Sequence, residues 1–268
     1  MVSASLKYLL ALLLTPVVWI SGFRRSVIRR NSCLLKLHET RVLRWKLAFC
    51  ASRDLAALVL GKVPKIQVDS RTQAHLNVMK KSPSLLLTAH YHNWEFLGSE
   101  LRKRGIPLLA AAQPLKTSWA ERCLQGFRKR IGVAVISSDV PRAALRHLQQ
   151  SGCFGLLWDQ HSLNSDYSGS FFGLRVNMNP LPIFLMNHHS CPVYFGVLLP
   201  SNKLRLIRLL FRFDGNWEEK LIRRYHRALE LLIRKHPELW YGFYHARFKN
   251  IAFYPGHRPT AKTILVPV

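Results

Sequence analysis

Short apolar runs alternate with amphipathic stretches along most of the chain. Ser84–Thr88, Pro107–Ala112, Val133–Ile136, Phe154–Trp158 and Val193–Leu199 read as strands, and Leu204–Phe213 adds another. Between them Glu95–Arg104, Ser118–Arg130, Pro141–Gln150, Leu181–His189 and Trp217–Lys235 carry helical periodicity. Strands that are apolar throughout, rather than at every second position, are buried on both faces. The predicted fold class is therefore α/β, a mixed, largely parallel sheet flanked by helices. Gly61 to Ser70 reads as a linker. Ile251–Val268, with three prolines and no periodicity, reads as a loosely held C-terminal tail.

The N-terminus follows another rule. Tyr8 to Phe23 carries no charge, and Arg24, Arg25, Arg29 and Arg30 follow it. Sixteen residues fall somewhat short of the roughly 20 that cross a bilayer. A tilted or shallow helix closes that gap, with Tyr8 and Trp19 placed for the interfaces. A cleaved signal peptide and a buried core helix are the other readings. The positive cluster on the far side favours an N-terminal membrane helix with the remaining chain in the cytoplasm. From Arg24 to Lys46 there are eight Lys or Arg and one acid, Glu39, interleaved with Leu and Trp. That stretch predicts a basic amphipathic helix on an anionic bilayer, or else an ordinary surface helix. The expected organisation is an anchor over 1–23, a basic membrane-proximal region over 24–60, a catalytic domain over 61–250 and a tail over 251–268.

Composition narrows the partners. Forty Lys and Arg stand against 14 Asp and Glu among 268 residues, a net charge of +26, yet 49% of the chain is hydrophobic. High charge on an apolar chain excludes disorder and points to anionic partners. Five cysteines, an odd number with no C-x-x-C, fit a reducing compartment better than a disulfide framework.

Candidate chemistry gathers where Leu85–Leu87 runs into Thr88-Ala89-His90, ahead of a helix beginning near Trp94. His90 emerges at the carboxyl end of a strand, where open α/β sheets place their sites. Glu95 follows in the first helical turn, and the intervening loop lets its carboxylate fold back on the imidazole. Such a pair orients one ring nitrogen and leaves the other to take a proton from a hydroxyl. Acyl transfer from a thioester to an alcohol needs that base and oxyanion donors, with no enzyme nucleophile. His92 competes for the role. No metal spacing, nucleophile elbow, P-loop or dinucleotide fingerprint is present, so neither a metal nor a cofactor is expected.

His90-x4-Glu95, enclosing Asn93-Trp94-Glu95, resembles the H-x4-[DE] motif of the late lipid A biosynthesis acyltransferases, the lauroyl and myristoyl transferases of Gram-negative bacteria. Further segments match in order: Gln113-Pro114-Leu115-Lys116, Gly155 to His161 around Asp159-Gln160, Phe171-Phe172-Gly173, His236-Pro237-Glu238-Leu239-Trp240, and His245 to Lys249 with Arg247. The resemblance spans roughly residues 1 to 250 and departs at His92 (glycine in the family), Gln113 (arginine), His161 (aspartate) and Ala246 (arginine), as a divergent member. It implies a glycerolipid-acyltransferase-like fold, with His90 as general base and Glu95 as its orienting partner. Asn93, Gln113, Lys116, Asp159 and Arg247 would bind substrate, although Asp159 also reads as a loop organiser or a holder of Arg247. The implied donor is acyl carrier protein and the implied acceptor a hydroxyl of a lipid A precursor. The implied location is the cytoplasmic face of the inner membrane, among anionic lipids and without nucleic acid. Other phospholipid or glycolipid acceptors form the alternative. A basic lipid- or nucleic-acid-binding protein is the reading outside catalysis.

Overall fold

The structure, a computed structural model, describes residues 4–22, 24–37, 41–61, 63–162, 165–210, 213 and 215–248. The expected tail over 251–268 lies outside the described residues. The chain begins with three helices, α1 (Ala4–Ile20), α2 (Arg25–Leu34) and α3 (Arg41–Val59). Next come β1 (Gln67–Val68), α4 (Ser70–Met79), β2 (Ser84–Thr88), α5 (Trp94–Lys103), β3 (Leu108–Ala111) and α6 (Ser118–Arg130). Then follow β4 (Ala134–Ile136), α7 (Val140–Gln149), β5 (Cys153–Leu157), β6 (Ser168–Phe171) and β7 (Leu174–Asn177). The described chain closes with α8 (Leu181–His188), β8 (Val193–Leu198), β9 (Lys203–Arg208), α9 (Trp217–Lys235) and two 3-10 turns, Pro237–Leu239 and Tyr241–Tyr244.

Two compact units result. The sheet unit takes Ala57–Trp158 and Leu181–Leu221, and the second unit takes Met1–Ala56, Asp159–Pro180 and Ile222–Val268. The stretch read from sequence as one catalytic domain over 61–250 is thus shared between them.

In the sheet unit the strand order is β1-β9-β8-β2-β5-β3-β4. Every pairing is parallel except β8 with β9, which agrees with the predicted mixed, largely parallel sheet. β2 and β5 run through its middle, and four of the five residues of β5 and all of β2 are buried, as continuous apolar runs require. The chain passes from β2 to β3 on one side of β5, and later reaches β8 on the other side of β2. The carboxyl end of β2 therefore stands where the strand order reverses, the usual place for a site. Leu76, Leu86, Phe96, Leu97, Leu101 and Leu206 belong to the core between sheet and helices.

Two segments differ from their sequence reading. The expected linker over Gly61–Ser70 contains β1, and Asp69 caps α4 by accepting from the Thr72 backbone N–H at 2.8 Å. The single basic helix expected over Arg24–Lys46 is divided into α2 and α3; the Leu35 N–H closes on Asn31 O, and Lys36 takes a φ of 54°. The second unit holds an unforeseen hairpin, β6 and β7. Its turn residues Phe172 and Gly173 have φ of 52° and 79°, the left-handed pair that a two-residue hairpin needs. Among the described residues no single helix is long and apolar enough to cross a membrane.

Candidate functional site

The loop after β2 positions the predicted chemistry. His90 lies two residues beyond the strand, half-buried, and its ring meets Trp94 edge on with centroids 5.0 Å apart. Asn93 is the N-cap of α5, its side-chain oxygen accepting from the Phe96 N–H at 3.4 Å. That contact makes Asn93 a builder of the loop. His92 holds a φ of 50°, and its Nδ1 accepts from the Asn93 N–H at 2.7 Å. One nitrogen of the competing histidine is thus engaged by its own loop.

Glu95 stands in the first turn of α5, where the helix dipole favours a carboxylate. Its partner is one that sequence reasoning missed. Arg128 of α6 grips it from the side, Nη2 donating to Oε1 at 2.7 Å and Nε donating to both oxygens at 3.1 and 3.2 Å. Both side chains are buried. A planar two-point grip of this kind fixes a carboxylate in direction as well as charge. The sequence carried a signal for it. Leu124, Phe127 and Ile131 mark the inner face of α6, and of the three consecutive bases Arg128, Lys129 and Arg130, only Arg128 lies on that face.

A narrow apolar cleft borders this ion pair. One row of residues crosses the sheet in register: Leu86, Gly155, Ala110 and Val135. Two of the four are the smallest residues available, so the row is indented at its centre. Above it α5 contributes Leu97 and Gly98, where a Cβ would come within 3.2 Å of Val133. The small residues let Val133 and Leu108 pack closely against both walls, and a narrow apolar slot remains beside them, with Thr88, Trp94, Glu95 and Arg128 also on its lining. Trp94 thus touches both His90 and the slot.

The remaining predicted residues fall elsewhere. Gln113 and Lys116 are exposed in the loop between β3 and α6. There the Leu115 N–H donates to Glu121 at 2.7 Å, and that bond with a second from Gln125 holds the Glu121 carboxyl below its ordinary pKa. Asp159 and Arg247 belong to the second unit, and both are almost fully buried. Asp159 accepts from the Trp240 indole N–H at 2.9 Å. Arg247 donates to the Gln160 carbonyl and to His226 Nε2 at 3.3 Å, with its guanidinium 5.5 Å from the Phe171 ring centroid. Burial, then the Arg247 charge, push the His226 pKa down to about 3, so it stays neutral and accepts that bond. Asp159 and Arg247 hold the chain's own loops together.

No protein-family model matches the chain, and no curated protein matches it.

Proposed function

We propose that the protein is an acyltransferase moving a fatty acyl chain from acyl carrier protein to a hydroxyl of a lipid A precursor at the cytoplasmic leaflet. One observation carries this reading: an apolar slot whose wall, Trp94, contacts a histidine at the carboxyl end of the central strand. In this reading the slot takes part of the donor's hydrocarbon, and Trp94, which touches both, sets the reacting carbonyl near the His90 imidazole. His90 takes the proton of the acceptor hydroxyl as its oxygen attacks the thioester carbonyl. The C–O bond forms, the tetrahedral oxyanion collapses, the C–S bond breaks, and the departing thiolate receives the proton.

Glu95, five residues on in the first turn of α5, serves as the orienting carboxylate of the site. Arg128 holds the Glu95 carboxylate in one direction by its two-point grip. Gln113 lacks the charge its counterpart carries in the resembled family, and Arg128 supplies one in the same unit. The positive φ at His92 supports the resemblance as well. It is the position where that family has glycine, which takes such a φ without steric cost. The excess of 26 positive charges suits an anionic leaflet, a phosphorylated acceptor and an acidic carrier.

Purified protein in detergent should transfer a labelled acyl chain from acyl carrier protein to a lipid A precursor. His90→Ala should lose at least about 10²-fold in rate, the usual general-base contribution. Undiminished turnover in that variant would remove the mechanism.

A further inference from the structure

The second unit begins with an apolar surface that the catalytic reading does not use. α1 has two faces. Ala11 and Thr15 are fully buried, and Val18 and Trp19 continue the same side at helical spacing. Leu9, Leu12, Leu13, Val17 and Ile20 make the other side, each more than half exposed. Five large aliphatic side chains on one face are far beyond what a water-facing helix carries.

The buried side runs from Ala11 to Trp19, so α1 is fastened along its flank. At its end the Trp19 ring meets Trp45 of α3 edge on at 5.9 Å, and Arg44 lies 5.4 Å from the Trp19 centroid. A helix fastened along one flank is not free to stand upright among lipid tails. Its 17 residues reach about 25 Å at 1.5 Å each, less than the roughly 30 Å of hydrocarbon in a bilayer. The chain then turns by 87° into α2, placing Arg24, Arg25 and Arg29 in solvent. Exposed Arg41, Val42, Trp45 and Lys46 on α3 repeat the same mixture of bases, aliphatics and an interfacial tryptophan.

We propose that α1 lies in the plane of an anionic bilayer, sunk into one leaflet through Leu9, Leu12, Leu13, Val17 and Ile20, with Arg24, Arg25, Arg29 and Arg41 on lipid phosphates. Apolar side chains below and bases at headgroup level are the two attractions that hold an interfacial helix. This inference rests on the membrane part of the proposed function and replaces a spanning anchor with one whose ends stay on one side.

The test uses the full chain with Cys33→Ser and Cys123→Ser, which remove the two exposed thiols. Leu9→Cys, Leu13→Cys, Val17→Cys and Ile20→Cys, introduced one at a time, carry nitroxide labels, and the protein is added to preformed phosphatidylethanolamine/phosphatidylglycerol vesicles. All four labels should report one shallow depth, and Lys7→Cys should react with an impermeant maleimide from outside. Depth that grades steadily along the helix, with position 7 shielded, would overturn the in-plane arrangement while leaving membrane binding intact. Failure to bind the vesicles would instead overturn the membrane reading itself. Labels already immobile in lipid-free dimers would assign the face to a second copy, and would also defeat the proposal. Replacing Arg24, Arg25 and Arg29 by Gln should weaken binding to these vesicles about 100-fold, from a contribution near fivefold per base.

Discussion

Each unit buries an arginine with a carboxylate, and the two arrangements differ in what surrounds them. In the sheet unit Arg128 and Glu95 line an apolar slot. In the second unit Arg247 and Asp159 are enclosed; the Gln160 carbonyl, the Met178 sulfur and His226 accept from Arg247 Nη atoms and the Trp240 indole donates to Asp159, while Arg247 Nε makes no hydrogen bond among the described residues. Burial of charge is costly in both places. In the enclosed cluster the chain itself supplies compensation at several points, so its return is a fixed tertiary structure. The pair on the slot has its mutual ion pair and borders a cleft, the arrangement that the proposed function uses. Buried charge alone does not mark a site; buried charge beside unfilled space does.

The comparison predicts a graded set of effects. Arg247→Ala should be the most damaging to stability, lowering it by about 3–5 kcal/mol because Asp159 loses compensation inside the core; urea denaturation measures this. Arg128→Lys keeps the charge but loses the two-point grip. It should cost about 10²-fold in turnover, a loss of the kind seen when one preorganised hydrogen-bond donor is removed, with the urea midpoint nearly unchanged. An equal loss of stability in both variants would dissolve the distinction between the clusters.

The enclosed cluster should also show in the acid limb of stability. Burial first, and Arg247 second, lower the His226 pKa to about 3 in the folded protein, against about 6.5 when unfolded. The unfolded chain therefore binds the extra proton first as pH falls. Stability is complete above roughly pH 6.5 and declines by about 1.4 kcal/mol per pH unit from there towards pH 3. Denaturation midpoints at pH 7 and pH 5 should separate for the parent and converge for His226→Phe. The smallest change is Gly155→Ala, whose methyl would approach Leu108 Cδ1 at 3.2 Å. It should shift preference towards shorter acyl chains by about tenfold per methylene, read by competing acyl donors of different length.

Much of this was legible along the chain. The strand Ser84–Thr88 is buried at every position around its apolar Leu85–Leu87, and helices such as Ser118–Arg130 repeat with their own period, so local chemistry and tertiary burial agree there. β1 escaped notice because two residues carry no period, and it exists only by pairing with β9. The hairpin escaped because its turn uses Phe172 in the left-handed region, where asparagine or aspartate is the usual signal. In the candidate site the loop holding His90, Asn93 and Glu95 was readable, since a strand, a loop and a cap are adjacent in sequence. Arg128 was not selected, because it lies 33 positions from Glu95 and shares a basic run with two exposed neighbours.

The sequence by itself determined the α/β class, the apolar N-terminal helix and the histidine after the central strand, because each depends on neighbours within a few residues. Tertiary structure alone decided which arginine meets Glu95, that Asp159 and Arg247 are enclosed, and where a slot remains beside Gly155, Ala110 and Gly98. Those depend on strand register and on which helix face turns inward, and no local pattern records the distance between residues that only folding brings together.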